Sequence, residues 1–226
     1  MKANASKCHL FLSLYHPVPV NIKGSIIESS NCEKLLGIYI DSNFSFEYHI
    51  NRICRKASQK LHALSRIAKF ISENKKRMLF KSFIISQFNY CPIVWMCHGR
   101  GLNNKINNIH ERALRIVYHD KISSFKTLLK RDKSTSVHMK NLQYLATELF
   151  KVKNGLSPEI MKKIFVFQES DTYNLRSGNH LAPKNIRTKQ YGIESVSILG
   201  AKLWNLLPGE IKNSSSFTVF KNKIRN

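Results

Sequence analysis

Residues 45–71 read SFEYHINRICRKASQKLHALSRIAKFI, and their spacing decides the fold class. Ile50, Ile53, Cys54, Ala57, Leu61, Leu64, Ile67, Ala68 and Ile71 recur at three- and four-residue steps, the period of one face of an α-helix. The reading is a long amphipathic helix from Ser45 onward, with the Ser45 hydroxyl as its cap and Glu47 in the first turn, where the helix dipole favours negative charge. Opposite the apolar face runs a second stripe: Arg52, Arg55, Gln59, His62, Arg66 and Lys69. At a rise of ~1.5 Å per residue this stripe is about 25 Å long, enough to reach several phosphates of a nucleic acid. The nearby acids, Glu47 and Glu73, stand at the helix ends, so i,i+4 pairs do not neutralise it. A solvated helix face is the plain alternative; the shortage of acids favours contact with phosphate.

Upstream of this helix the period changes to that of strands. His9 to Leu14, Val18 to Ile22, Ser25 to Glu28 and Leu35 to Ile40 are short apolar or alternating runs, and Lys23-Gly24 fits a tight turn. The expectation is one hairpin plus one buried strand. Downstream, a second helix is predicted over Glu73 to Phe88, ending before Pro92, with Cys91 to Met96 as an extended or turn segment. Further helices are predicted over Asn103 to Tyr118 and Thr135 to Asn154, the latter closed by Gly155, then a short one opened by Ser157-Pro158. Two more lie near Ile198 to Leu206 and Phe217 to Ile224. The fold class is therefore α+β, mainly α. Residues 169–195 carry Arg176, Lys184, Arg187 and Lys189 among scattered Gly, Pro and Asn, and read as a basic loop or arm.

Charge points outward to a partner. The 226-residue chain holds 37 Lys plus Arg against 14 Asp plus Glu, a formal net charge of +23, so at least 23 cations have no acid to pair with. A polyanion is the natural partner. Hydrophobic residues at 42% and only 9 Gly and 6 Pro exclude a disordered or low-complexity chain. Five irregularly spaced cysteines without a signal-like start argue for free thiols, and hence for an intracellular protein, cytoplasmic or nuclear. No apolar run is long enough for a membrane span.

Helix Asn103 to Tyr118 repeats the amphipathic arrangement, with Asn108, Arg112, Arg115 and His119 opposite its apolar side, and Lys75, Lys76 and Arg77 head the helix between. Together these groups would line a groove that grips phosphates without reading sequence. Phe88, Tyr90 and Trp95 are candidates for base stacking, although three aromatics around a Pro turn more often belong to a core. Cys91, Cys97 and His98 match no common zinc spacing and would need His110 or Cys54 as a fourth ligand; no metal site is expected. His110 reads as a structural histidine. Two-metal phosphoryl transfer needs convergent carboxylates, yet Asp41, Asp120, Asp132 and Asp171 are scattered, and the only close acidic pair is Glu169 and Asp171. The residues alone describe a basic binding module without a catalytic site.

Lys34-Leu35-Leu36-Gly37-Ile38-Tyr39-Ile40-Asp41, then Phe44 and His49-Ile50, resembles the segment just after the catalytic palm of reverse transcriptases from jockey-like non-LTR retrotransposons. Ser86-Gln87-Phe88-Asn89-Tyr90-Cys91-Pro92, Trp95 and Ile109-His110-Glu111-Arg112-Ala113-Leu114-Arg115 continue the similarity. Asn141-Leu142-Gln143, Phe150-Lys151-Val152 and Tyr173-Asn174-Leu175-Arg176 carry it through most of the chain.

This resemblance implies an RNA-directed DNA polymerase as parent, with residues 1–43 a palm remnant, 44–120 a thumb-like helical domain and 121–226 a helical C-terminal extension. Asn4 and Lys7 resemble the palm's tail, and Leu36 and Gly37 the strand that touches the primer end, where Gly37 would admit close backbone approach. The Mg-binding aspartates of the family would lie upstream of Met1, so no cofactor and no polymerase activity are expected of this chain alone. The expected partner is RNA, DNA or an RNA-DNA hybrid held by its phosphates, through Arg52, Arg55, Arg66, Lys69, Lys75, Lys76, Arg77, Arg112 and Arg115. Three rivals stand beside this: a thumb that completes a palm-containing chain in trans, a host-adopted helical protein-interaction module, and a retroelement relic without function.

Overall fold

The computed structural model describes residues 8, 10–11, 19–22, 24–167, 181 and 195–225. Asn4, Lys7, the pair Glu169 and Asp171, the 173–176 string and the basic loop at 169–195, apart from Leu181 and Ser195, lie outside the described residues. The architecture is α+β and mainly α: short strand pairs come first and helices follow. The chain divides into two compact units, Met1–Tyr90 with His98–Ser124, and Cys91–Cys97 with Phe125–Asn226.

In the first unit, β1 (Leu10–Phe11) pairs parallel with β4 (Ser29–Ser30), and β2 (Val20–Ile22) forms the expected hairpin with β3 (Ser25–Ile27). Gly24 makes the turn at φ 86°, a left-handed value that Gly adopts without steric cost, and its N–H donates to Asn21 Oδ1 at 2.8 Å. The single buried strand expected over Leu35 to Ile40 is instead a second hairpin, β5 (Cys32–Leu35) against β6 (Ile38–Asp41). Leu36 and Gly37 are its two turn residues, at φ 47° and 88°, the positive pair a two-residue I′ loop requires. A continuous apolar run hid this turn, because Leu occupies a place where Asn or Asp would signal it.

Helix α1 (Glu47–Ile67) buries Ile50, Ile53, Cys54, Ala57, Leu61 and Leu64, as its period demands. Its start differs from expectation. Phe46, not Ser45, is the N-cap residue, at φ 55°, and Asp41 satisfies the orphan amides: its carboxylate accepts from Ser45 N at 2.9 Å and from Phe46 N at 2.7 Å. Ser45 Oγ takes only the Glu47 N–H, at 3.2 Å. The far end also stops early, since Ile67 and Phe70 are exposed and residues 68–70 form a turn. The apolar period runs on to Ile71, beyond the last helical residue, and Ala68 and Ile71 are half-buried there.

The next element spans the predicted Glu73 to Phe88 but changes pitch twice. Glu73–Leu79 is α-helical (α2), Phe80–Ile84 is a π turn in which Ile85 N–H bonds to Phe80 O, and Ile85–Phe88 is 3-10. Phe80, Ile84 and Phe88 are buried against α1. Helix α4 (Arg100–Tyr118) packs on α1 through Ile106, Ile109, Ala113 and Val117, starting three residues earlier than its period suggested. His110 is buried beside the Phe80 ring, with centroids 5.4 Å apart, as a structural histidine would be.

The second unit opens with α3 (Pro92–Trp95), one helical turn where an extended segment was expected. Cys91 at φ 43° lets Pro92 enter as the first helical residue, where its missing N–H costs nothing. An unpredicted helix, α5 (Phe125–Asp132), precedes α6 (Val137–Lys153), which Ser136 caps by accepting from Met139 N at 3.3 Å. Gly155 at φ 70° ends α6 in a Schellman turn: Leu156 N–H bonds to Lys151 O and Gly155 N–H to Val152 O. Then come α7 (Glu159–Ile164), α8 (Val196–Leu206), α9 (Gly209–Lys212) and α10 (Phe217–Arg225). The core of this unit gathers Met96, Leu145, Leu149, Phe150, Trp204 and Phe220, with the Phe150 and Phe220 rings stacked at 4.3 Å.

Candidate nucleic-acid interface

Because α1 and α4 bury their apolar faces against each other, their polar edges meet along one groove of about 520 Å³. Asn51, Cys54 and Arg55 of α1 and Lys105, Asn108 and Arg112 of α4 line it. Lys105 Nζ donates to Asn51 Oδ1 at 2.6 Å across the groove. Cys54 is 1% exposed, and burial pushes its thiol up to about 11, with the Lys105 ammonium opposing in part; it stays a protonated thiol at neutral pH. A second groove, about 380 Å³, shares Asn51 and Arg55 with the first and adds Tyr48, Arg52, Lys56 and Gln59. There the Arg52 guanidinium lies 4.9 Å from the centre of the Tyr39 ring, which Tyr48 meets edge-on at 5.1 Å.

The basic stripe is solvent-facing, as its spacing predicted: Arg52, Arg55, Gln59, His62, Arg66 and Lys69 are all exposed. Among the described residues, Arg52, Arg55, Arg66, Lys69 and Arg112 form no ion pair. Lys69 stands in the turn beyond α1, so the helical part of the stripe ends at Arg66. Arg66, Lys69, Lys75, Lys76 and Arg77 line neither of the two grooves. Lys75 is exposed, whereas Lys76 and Arg77 are half-buried on α2.

Arg115, unlike Arg55 and Arg112, is engaged by groups of its own unit. It holds Glu111 at 2.6 Å, one turn back on α4, and donates to the Lys121 carbonyl, so it fastens the chain that leaves α4. The aromatic trio separates as well: Phe88 and Trp95 are core residues, and the exposed Tyr90 donates its hydroxyl to Leu36 O at 2.7 Å. Gly37 faces that ring, since a Cβ there would sit 3.5 Å from Tyr90 Cε1. Leu36 and Gly37 thus occupy an exposed turn braced by Tyr90 rather than a strand interior.

Among the described residues no three His, Cys, Asp or Glu side chains gather as a metal-ligand set. Cys91 and Cys97 fall in the second unit and His98 in the first. Among the described residues, Asp41 and Asp132 do not form the Mg-binding constellation of a polymerase: Asp41 caps α1, and Asp132 is buried in the second unit. No described helix is long and apolar enough to cross a membrane.

Lys105 and Asn51 were missed in the sequence. The basic edge of α4 was read from Asn108 onward, yet one further step of three residues back reaches Lys105, and Asn51 lies one helical turn before Arg55. The chain matches no protein-family model, no curated protein and no solved structure.

Proposed function

We propose that the first unit is a thumb-like nucleic-acid grip of the kind found in jockey-like non-LTR retrotransposon reverse transcriptases, holding a template-primer duplex by its phosphates and contributing no polymerase chemistry of its own. The observation that carries this reading is that Arg55 and Arg112, on different helices and without carboxylate partners, face one groove together with Lys105. Three cations lining one groove suit a phosphate backbone, whose charges are closely and regularly spaced. Such contacts position a duplex and read no bases.

The test is binding of an RNA-DNA hybrid across a salt series, with primer extension assayed on the same protein. Reversing Arg55 and Arg112 to Glu should lower the log–log salt slope by about 2, at ~0.9 for each phosphate no longer neutralised. Absence of binding at low salt, or an unchanged slope in the double variant, rejects the grip; any extension rejects the statement about polymerase chemistry.

A second reading has its own observation: Ile26, Leu35 and Leu36 at the two hairpins are 71%, 61% and 83% exposed. Apolar strand tips of this kind suit a thumb that completes a palm supplied by another chain. Mixing the protein with such a palm should then produce extension that neither chain shows alone.

A further inference from the structure

The second unit carries a basic groove of its own between α6 and α10, about 260 Å³ in volume. Its walls place lysines over aromatic rings. Lys140 Nζ lies 5.9 Å from the Tyr144 ring centre, and Lys151 and Lys221 lie 5.3 Å and 5.9 Å from that of Phe217. Arg225 adds a further cation at the end of α10. The lining carries one carboxylate, Glu148, which Lys151 holds at 2.7 Å. On α6 the residues from Lys140 to Lys151 follow one helical face over about 16 Å, and on α10 Phe217, Lys221 and Ile224 do the same.

We infer that this groove binds single-stranded nucleic acid. Cations beside partly buried aromatic rings are the combination that tracks a flexible phosphate backbone while giving its bases a surface to stack on. A duplex presents stacked bases and has no use for the rings. An acidic polypeptide would satisfy the lysines and leave the rings idle. The Lys140 and Lys221 ammonium groups lie at the outer edge of cation–π reach of the Tyr144 and Phe217 rings. Phosphates arriving there draw the ammonium groups aside: Lys140 uncovers Tyr144, and Lys221 uncovers the part of Phe217 that Lys151 leaves open. Charge and stacking are thereby coupled, because the same lysines that bind phosphate uncover the platform. This groove shares no lining residue with the α1–α4 groove.

The experiment uses the full chain with Arg55→Glu and Arg112→Glu, which silences the first groove. Its probe is a fluorescent oligothymidylate of about 15 nucleotides, within the usual span of such sites. Lys140→Gln with Lys221→Gln should weaken binding about tenfold and reduce the salt slope by about 1.4, at ~0.7 per phosphate of a single strand. Both lysines are half-buried, so a thermal melt of the double variant, expected to match the parent protein, accompanies the titration. A 5-iodouracil oligonucleotide should cross-link to peptides containing Tyr144 or Phe217, and an abasic oligonucleotide of equal length should bind about tenfold more weakly. Unchanged affinity in the lysine double variant overturns the proposal, as do cross-links confined to the first unit. Equal binding of the abasic strand, or displacement by polyglutamate at equal charge concentration, would show an acidic-ligand site instead and also overturn it.

Discussion

Lys105 on α4 donates a hydrogen bond from its ammonium to the neutral amide oxygen of Asn51 on α1, 2.6 Å away. An amide acceptor fixes the ammonium in position without cancelling its charge, so the groove keeps a preorganised cation. We therefore expect Asn51→Asp to be nearly neutral or slightly stabilising while weakening hybrid binding, with the salt slope reduced by about 1. Titration of the single variant over a range of salt concentrations checks this, and unaltered binding would remove Lys105 from the interface.

Arg115 supplies the contrasting case. Because it is committed to Glu111 and the Lys121 carbonyl, Arg115→Gln should leave the salt slope within error while lowering stability by about 0.5–1 kcal/mol. A drop in slope comparable to that of Arg112→Gln would return Arg115 to the phosphate-binding set.

The start of α1 separates two candidate caps. Asp41→Ala removes both carboxylate bonds to the Ser45 and Phe46 amides and should cost about 1–2 kcal/mol in urea unfolding, whereas Ser45→Ala should cost about 0.5 kcal/mol or less. Equal losses in the two variants would mean that the capping is shared.

His49 is buried, and its Nδ1 accepts the Tyr39 N–H at 3.4 Å. Burial, reinforced by Lys56, holds its pKa below the ordinary value of about 6.5. A depressed histidine binds fewer protons folded than unfolded, so its stabilising contribution is full above that ordinary value and falls as pH drops through the lowered one. Burial lowers His138 in the second unit in the same direction. Thermal unfolding should therefore shift to lower temperature between about pH 7.5 and pH 5, and His49→Gln should flatten that decline in the first unit. A midpoint that rises on acidification would contradict the assignment.

Two glycines should respond oppositely to the same change. A Cβ on Gly200 would lie 2.6 Å from Phe165 Cε1, so Gly200→Ala should destabilise the second unit by about 1–3 kcal/mol. Gly101, in the first turn of α4, has nothing within 4 Å of its Cβ position, and Gly101→Ala should stabilise by up to about 1 kcal/mol. Chemical denaturation of both variants decides.

Much of this molecule is legible in its sequence where periodicity extends over many residues. The buried face of α1, the existence of α4 and α6, and the outward stripe from Arg52 to Arg66 all follow from steps of three and four. What escaped was short or set by tertiary contact. α5 holds only Phe125, Leu128 and Leu129 as apolar residues, too few to establish a period, and α3 is a single turn. The Leu36-Gly37 turn lacked the usual turn residues, and its brace, Tyr90, lies 54 positions away. In the candidate site, Arg55 and Arg112 stand out by charge and spacing, but their sharing of one groove depends on how α1 and α4 dock. The Arg115 pair with Glu111 follows the i,i+4 spacing, whereas its bond to the Lys121 carbonyl lies past the helix end, where no spacing rule reaches.

The element from Glu73 to Phe88 carries a further consequence. Its π turn at Phe80–Ile84 is underwound, and the 3-10 turn at Ile85–Phe88 is overwound. The angular lag of the first is largely recovered by the lead of the second, so the element ends nearly in phase with an ideal helix of the same length. Two departures of opposite sign cancel, and a period averaged over the whole segment cannot detect either. A one-residue deletion confined to the wide turn would leave the tight turn uncompensated and rotate Phe88 out of the core, which makes these nine residues a matched pair in which neither half tolerates change alone.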